Sequence, residues 1–229
     1  MCNHYRVDDP ERVLAFAKPW AETLGKPWEV TRSAWPGAQM PVLLRNEKTE
    51  LRSGRWGVWP WYERFKPARF VVNARDDRLT ESNLWKSAVK SRRCLVPMDG
   101  FYEWCGPAGG KWEVLFRFKD SRPYWVAGLW SEDPNGNEIG FALVTSSPND
   151  LVKAVPHDRM ILILGEPEAK RWLEPGELSD EERLSLCKPH PATDMVREDM
   201  PKPERKAATK KVGTRKNKSA AHDGPELPI

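Results

Sequence analysis

Short runs rich in β-branched and aromatic residues, separated by Pro and Gly, dominate the first 175 residues and point to a fold built mainly of strands. The runs are RFVVNAR, RRCLVPMDGFYEW, KWEVLFRFK, YWVAGLW, FALVTSS and RMILIL. So many short strands in one chain need a shared core, which a sheet that curls on itself can provide.

Helical patterns interrupt the strands at three places. The stretch DPERVLAFAKPWAETLG opens with Asp9 and Pro10, which suit a helix N-cap and first turn. The stretch TESNLWKSAVKSRR opens with Thr80 and ends in basic residues that favour a helix C-terminus, and a third helix is predicted in GEPEAKRWLE. We therefore predict an α+β fold: a single domain with a curled, largely antiparallel, barrel-like sheet flanked by a few helices.

The composition changes near residue 175, and beyond residue 189 large apolar residues almost disappear. The chain ends PKPERKAATKKVGTRKNKSAAHDGPELPI, which cannot bury enough surface to offset the loss of chain entropy. We therefore predict a domain over residues 1–189 and a basic, disordered tail over residues 190–229. The tail either holds anionic polymers nonspecifically or serves as a solubilising end.

The net charge is +4, the isoelectric point is about 8.8, and the chain contains twelve tryptophans. Basic character with many aromatic residues suits a surface that neutralises phosphates and stacks bases, although most tryptophans of any protein belong to the core.

Four cysteines are present, with no CxxC pair and no dense framework: Cys2, Cys94, Cys105 and Cys187. No secretory segment and no apolar run of about 20 residues is evident. We therefore expect a cytoplasmic protein with free thiols and no contact with membranes. The spacing of Cys and His fits no structural zinc site, and we predict no metal and no cofactor.

Cys2 follows the initiator methionine directly. Removal of Met1 would leave an α-amine with an ordinary pKa of about 7.7 to 8.0 next to a thiol with one of about 8.5. An aldehyde would form an imine with the amine, and the thiol would then close a five-membered thiazolidine ring. The alternative is that Cys2 is only a small second residue that permits trimming of Met1.

Glu103 and His157 are candidates for proton transfer. Glu103 lies between Tyr102 and Trp104 in an apolar strand, so burial would raise its pKa; alternatively, it is the outward residue of a half-buried strand. His157 comes just before the apolar run RMILIL and titrates near neutral pH, although most single histidines are ordinary structural residues.

Asn73 and Arg75 lie at the end of an apolar strand on the same side of the pleat. Asn can orient a reacting group and Arg can grip a phosphate, but the same pair also suits a turn. Upstream, GRWGVWPWY places Trp56, Trp59 and Trp61 next to Gly and Pro, where an exposed ring could stack on bases.

These stretches occur together in the order typical of one family. The motifs are MC at the start, RWGVWP, VVNARDD, RRCLVPMDGFYEW, AGLW, FALVTSS and PHDRM. From Cys2 to about Pro175 the chain resembles the SRAP family, named for the SOS-response-associated peptidase domain. The resemblance implies the SRAP fold and a guardian of abasic sites in single-stranded DNA.

In that family the terminal cysteine reacts with the ring-opened abasic sugar to give a thiazolidine DNA-protein crosslink. The resemblance implies that Cys2 is the nucleophile, that Asn73 orients the reacting groups, that Glu103 moves protons, and that His157 acts as acid or base. It also implies autocatalytic removal of the residues before Cys2, although a housekeeping aminopeptidase could remove Met1 as well.

The resemblance further implies that Arg75 holds a backbone phosphate and that Trp56 belongs to the DNA-binding face. Many members begin MCGR, whereas this chain has Asn3 and His4, so an early arginine contact with phosphate would be lost or taken over by Arg6.

Two further basic residues, Arg92 and Arg93, are candidates to guide the sugar-phosphate backbone toward the site, which would make binding salt-sensitive.

Two other function classes stay open. One is a thiol peptidase in which Cys2 attacks an amide with His157 as its base. The other is a noncatalytic single-strand binding module that uses Trp56 and the basic tail. In the favoured hypothesis, that of an abasic-site guardian, the partner is single-stranded DNA containing abasic sites. The protein is then expected to be a monomer that associates with the nucleoid when bound to DNA.

Overall fold

A computed structural model describes residues 2–25, 29–60, 70–108, 110–133, 136 and 138–201. The strands are β1 (Tyr5–Arg6), β2 (Thr23–Leu24), β3 (Ser33–Ala34), β4 (Gln39–Arg45), β5 (Thr49–Trp56), β6 (Asn73–Arg75), β7 (Arg93–Met98), β8 (Gly100–Cys105), β9 (Trp112–Phe118), β10 (Tyr124–Glu132), β11 (Ile139–Ser146), β12 (Met160–Ile161), β13 (Ile163–Leu164) and β14 (Met195–Asp199). The helices are α1 (Pro10–Ala17), α2 (Ala88–Ser91), α3 (Asp150–Lys153), α4 (Glu166–Leu173) and α5 (Asp180–Leu186).

Five strands close into a barrel in the order β5, β4, β7, β10, β11 and back to β5. The neighbours pair antiparallel except at the closing seam, where β11 and β5 run parallel with Phe141 opposite Trp56. Gly57 follows the seam with φ of 137°, a backbone conformation that glycine adopts without strain. The prediction of an α+β fold with a curled, barrel-like sheet is confirmed.

A second sheet has the strand order β14, β9, β8, β1, β3. The apolar cluster inside the barrel includes Trp56, Phe141 and Val96, and it continues to Phe101 and Phe116 of this second sheet. The two sheets therefore share one core. That core brings the first residues of the chain up against the barrel.

Helices cover the outer side of the barrel, where a second apolar cluster forms. Trp172 of α4 is fully buried there, and its indole nitrogen donates to the carbonyl oxygens of Cys94 at 3.1 Å and Gly128 at 3.3 Å. Among the described residues, every helix is too short or too polar to traverse a lipid bilayer.

The predicted helices form with different lengths. Asp9 caps α1 by accepting a hydrogen bond from the Arg12 backbone nitrogen at 3.1 Å, as its sequence position suggests. In the stretch from Thr80, only Ala88–Ser91 is α-helical, because the preceding residues form turns that seat Trp85 against the barrel. Helix α5, capped by Ser179 and Glu182, was not predicted.

The last strand, β14, lies inside the segment assigned to the tail. Its backbone pairs with β9 from Met195 opposite Phe118 to Asp199 opposite Val114, and the Met195 side chain is buried. The predicted boundary after residue 189 therefore falls short of the last strand. Edge pairing with β9 satisfies the backbone groups of this segment, so one anchoring side chain suffices. Residues 202–229, the rest of the predicted tail, lie outside the described residues.

Two truncations test the role of β14. Deleting residues 195–229 removes the strand and the buried Met195, and we expect the melting temperature to fall by at least about 5 °C. Deleting residues 202–229 keeps the strand, and we expect a change of less than about 1 °C. Equal melting temperatures for the two shortened proteins, measured by circular dichroism, would show that β14 adds nothing to stability.

Candidate active site

The pairing of β1 with β8 places the start of the chain beside Glu103. Tyr5 lies opposite Phe101 in antiparallel register, and the Tyr102 backbone nitrogen donates to the His4 carbonyl oxygen at 3.0 Å. Antiparallel neighbours count in opposite directions, so residues before Tyr5 run alongside residues after Phe101. Cys2 is thereby carried to the end of β8 that bears Glu103.

Two sets of contacts hold this N-terminal segment in place. The fully buried Asp99 accepts hydrogen bonds from Arg6 Nε and from the Asp8 backbone nitrogen, each at 2.9 Å. Arg6 was expected to take over a phosphate contact; instead its guanidinium forms an ion pair with Asp99. A buried carboxylate needs that positive charge, so Arg6 acts as an anchor of the fold.

His4 forms the second anchor. Its ring is stacked between Trp35 and Tyr102, with centroids 4.1 Å away on each side, and its two nitrogens lie 2.6 Å from Glu113 Oε1 and Ser33 Oγ. With both faces covered and both nitrogens engaged, His4 restrains the chain two residues after Cys2.

Asn73 reaches the same place from β6, which runs parallel to β11. Its Nδ2 donates to the Cys2 carbonyl oxygen at 2.7 Å. Its Oδ1 is buried and has no hydrogen-bond partner within the described ranges. The Asn73 amide therefore binds the Cys2 backbone through Nδ2, while its Oδ1 can still accept a hydrogen bond.

Glu103 and His157 lie next to each other in the site. The Glu103 side chain is 1% exposed, and its Oε2 lies 3.3 Å from His157 Nδ1. Burial raises the pKa of Glu103 to about 7. His157 Nε2 lies 3.0 Å from the Trp104 carbonyl oxygen, which can only accept, so Nε2 carries a hydrogen and Nδ1 faces the carboxyl. Burial lowers the pKa of His157, which favours the neutral ring with its acceptor Nδ1 toward the Glu103 carboxyl.

The Cys2 thiol is buried, and its Sγ lies 3.4 Å from the His4 carbonyl oxygen as a donor. Burial raises the pKa of this thiol well above its ordinary value, and the negative charge of Glu103 raises it further. With Met1 attached, the thiol is therefore held protonated and the Cys2 nitrogen is an amide. Four sequence-predicted residues thus meet at one place: Cys2, Asn73, Glu103 and His157.

Arg75 lies at the edge of this site, and about 45% of its side chain is exposed. Both Nε and Nη2 donate to the Asp77 carboxylate, at 3.0 and 2.8 Å. A phosphate would have to share or displace Asp77 to use the same two donors. Arg75 also lines a shallow depression together with Asn73, Arg78 and Trp85.

Trp56 is not available for DNA. It is fully buried in the barrel, its indole nitrogen donates to the Val72 carbonyl oxygen at 3.1 Å, and its ring lies 4.8 Å from that of Tyr5. This burial corrects the expectation that Trp56 belongs to the DNA-binding face. Trp59 is half-buried, and Trp61 lies outside the described residues.

Arg93 is also structural. Its guanidinium is buried and donates to five backbone carbonyl oxygens, which belong to Trp172, Val89, Lys90, Glu174 and Gly176. These bonds join β7 to α2 and to the end of α4, so Arg93 cannot guide a DNA backbone. Arg92, by contrast, is half-buried and lines a surface pocket.

A buried ion pair connects two parts of the site. It was not predicted from the sequence. Arg159 Nη2 contacts both Asp76 Oδ1 and the Thr145 carbonyl oxygen, and Arg159 is 6% exposed. Asp76 follows Arg75 directly, and Arg159 is two residues from His157. The sequence features that could have predicted this ion pair are the arginine in PHDRM and the aspartate in NARDD.

Within the described ranges, no three His, Cys, Asp or Glu side chains come together as metal ligands.

Comparisons with known proteins define the class. The family model described as SOS response associated peptidase (SRAP) matches residues 1–202. The abasic site processing protein YoqW of Bacillus subtilis is 34% identical over 166 residues, which cover 69% of this chain and 73% of YoqW. The abasic site processing protein HMCES of Xenopus tropicalis is 27% identical over 219 residues, covering 77% of this chain and 65% of HMCES. The chain therefore belongs to the SRAP family.

Solved structures share the fold. A crystal structure of a protein from Bacteroides thetaiotaomicron superposes with a TM-score of 0.73 at 22% identity, over 87% of this chain and 92% of that one. A protein from Bordetella bronchiseptica gives a TM-score of 0.71 at 24% identity, over 87% and 100%. The barrel with its second sheet is thus a recurring architecture.

The raised pKa of Glu103 predicts a pH-dependent loss of stability. Its contribution to folding is complete below the ordinary glutamate pKa of about 4.3 and is lost as the pH rises to about 7, because over this range the unfolded chain ionises while the buried carboxyl keeps its proton. Glu103→Gln removes the ionisation. We expect the free energy of unfolding of the variant, relative to that of the original protein, to rise by up to about 3 kcal/mol between pH 5 and pH 8. Urea unfolding measures this difference. The exposed Glu132→Gln serves as control, and an equal pH profile for all three proteins would contradict this cause.

Proposed function

We propose that this protein processes abasic sites in single-stranded DNA by forming a thiazolidine crosslink through Cys2 once Met1 has been removed. The observation that carries the proposal is the convergence of Cys2, Asn73, Glu103 and His157 from four separate chain segments. The relatives named as abasic site processing proteins support the same substrate class.

The first step joins the Cys2 amine to the aldehyde of the ring-opened sugar. Removal of Met1 frees an α-amine next to the Glu103 carboxylate, which takes the proton of the ammonium form and leaves a neutral amine. The amine nitrogen adds to the aldehyde carbon, and the resulting carbinolamine loses its hydroxyl as water after protonation by Glu103. The product is an imine between Cys2 and DNA.

The second step closes the ring. The Cys2 sulfur adds to the imine carbon, the thiol proton leaves, and the imine nitrogen becomes a secondary amine by taking up a proton, so no proton is gained or lost overall. The thiol is carried by the Cβ atom of the same residue, so its sulfur reaches the imine carbon by closing a five-membered ring. Asn73 holds the Cys2 carbonyl oxygen and thus orients both nucleophiles.

The sugar-phosphate backbone would cross the depression lined by Asn73, Arg75, Arg78 and Trp85. In this proposal Arg75 binds a backbone phosphate. In the absence of DNA, Asp77 accepts two hydrogen bonds from the Arg75 guanidinium and so holds its orientation. Recognition of a missing base, rather than of a particular base, implies little sequence specificity. We further propose that the protein acts as a monomer in the cytoplasm, associated with the nucleoid when it is bound to DNA.

The two rival functions fit the geometry less well. A thiol peptidase needs a thiolate at neutral pH, whereas burial favours the protonated Cys2 thiol in the chain that carries Met1. In addition, His157 Nδ1 faces Glu103. A noncatalytic module based on Trp56 would need an exposed ring, but Trp56 is buried. Autocatalytic removal of Met1 by the same residues is part of the proposal, with an aminopeptidase as the alternative agent.

Crosslinking can be tested with a single-stranded oligonucleotide that contains one abasic site. We expect a denaturation-resistant adduct, detected by gel and by intact mass with loss of one water. Cys2→Ser keeps the amine but lacks the thiol, so we expect an adduct only after borohydride reduction traps the imine. Cys105→Ser, which alters a half-buried thiol at the end of β8, should crosslink fully. A stable, unreduced adduct with Cys2→Ser would overturn the ring-closure step.

The pKa of Glu103 predicts how crosslinking depends on pH. Below about 7 the carboxyl is protonated and cannot accept the ammonium proton, so the crosslinking rate should fall with a midpoint near pH 7. We expect Glu103→Gln to slow crosslinking by about 100-fold and to abolish this acidic limb. Its affinity for a crosslink-incompetent abasic analogue should change less than about twofold. Glu132→Gln is the matched control, and an unchanged acidic limb in Glu103→Gln would assign the titration to another group.

A further inference from the structure

A tryptophan pocket lies beside the depression and takes no part in the chemistry described above. We use this name for the pocket formed by Trp59, Trp85, Lys86, Arg92, Trp130 and Ser131. Its volume is about 260 Å³. Pockets for drug-sized ligands measure roughly 300 to 1,000 Å³, so this one suits a single flat ring system.

Three polar atoms of residues that line the tryptophan pocket have no hydrogen-bond partner within the described chain. Trp130 is 6% exposed, and its buried indole nitrogen has no hydrogen-bond partner within the described chain. The same is true of Arg92 Nε and Ser131 Oγ. The indole and guanidinium nitrogens can only donate, and a buried donor without a partner costs free energy. A ligand that places acceptor atoms here would remove that cost.

The charge of the pocket is positive. Lys86 and Arg92 contribute two cations, and no carboxylate occurs among the described residues of the lining. A ligand that carries a phosphate next to a ring would therefore be favoured over a neutral or cationic ring.

The tryptophan pocket lies next to the depression beside the candidate active site. Trp85 lines both this pocket and the depression that contains Asn73 and Arg75. A DNA strand whose abasic sugar lies at Cys2 and whose backbone crosses that depression is thus led to the mouth of the pocket.

We propose that the tryptophan pocket binds a nucleobase that flanks the abasic site in the same strand. The base stacks on a tryptophan face, its edge accepts the hydrogen bond of Trp130 Nε1, and the adjoining phosphate faces Arg92 and Lys86. Nucleobases combine a flat ring, edge acceptors and a neighbouring phosphate, which are the features that the pocket complements. The inference rests on the proposed function, because that function brings the strand to the depression.

The test compares two oligonucleotides that cannot crosslink. Both carry a central tetrahydrofuran site, which lacks the aldehyde; one has thymines on either side, and the other has further tetrahydrofuran units there. Dissociation constants are measured by fluorescence anisotropy. We expect the base-free flanks to weaken binding between about fivefold and a hundredfold, the range that one stacked base supplies.

Variants assign the difference to the pocket. Arg92→Met and Trp130→Phe should both shrink the ratio of the two dissociation constants toward one. Arg122→Met, which changes an exposed arginine near Phe118 and His190, should leave the ratio as it is. A folding defect weakens both oligonucleotides equally, so the ratio stays informative.

Equal affinity for the two oligonucleotides, or a ratio that neither variant changes, would overturn the proposal. A parallel crosslinking assay uses the same flanks around a true abasic site. Adducts that form at equal rates with both flanks would leave the proposed function standing while the pocket proposal fails. The absence of any adduct would count against the proposed function itself.

Discussion

The antiparallel pairing of β1 with β8 is the constraint on which the candidate site depends. It involves two residues of β1, yet it determines that the chain start runs toward Glu103. So short a strand cannot hold its register by backbone bonds alone. The buried Asp99, which binds Arg6 and the Asp8 backbone, and the stacked His4 supply what the ladder lacks. An ion pair and a stack of aromatic rings thus position Cys2.

The site combines groups whose burial is unfavourable for folding but suits the proposed chemistry. Glu103 is a buried carboxyl with a pKa raised to about 7, and Cys2 is a buried thiol held in its neutral form. Each would be easier to accommodate in water. The barrel tolerates them because its apolar clusters and helix contacts, such as those of Trp172, supply stability elsewhere.

Some arginine side chains are buried and stabilise the fold, whereas others remain at the surface, and the residue type alone does not distinguish them. Arg6, Arg93 and Arg159 are all turned inward, where they neutralise Asp99, collect backbone carbonyl oxygens, or join Asp76 to the His157 loop. Arg75 and Arg92 stay at the surface beside the depression and the tryptophan pocket. The same division separates the buried Trp56 from Trp59, which lines the pocket.

Strand-rich composition and helix caps were enough to predict the fold class and the helices at α1 and α4, because these follow from local propensity. The order of motifs, through the resemblance to the SRAP family, singled out Cys2, Asn73, Glu103 and His157 as site residues, and the structure brings these four side chains together. Which arginines and tryptophans are buried, where β14 pairs and how the barrel closes were decided by tertiary structure. The physical reason is that burial and pairing depend on partners such as Asp99, Val72 and β9, which are distant in sequence and come together only when the chain is folded.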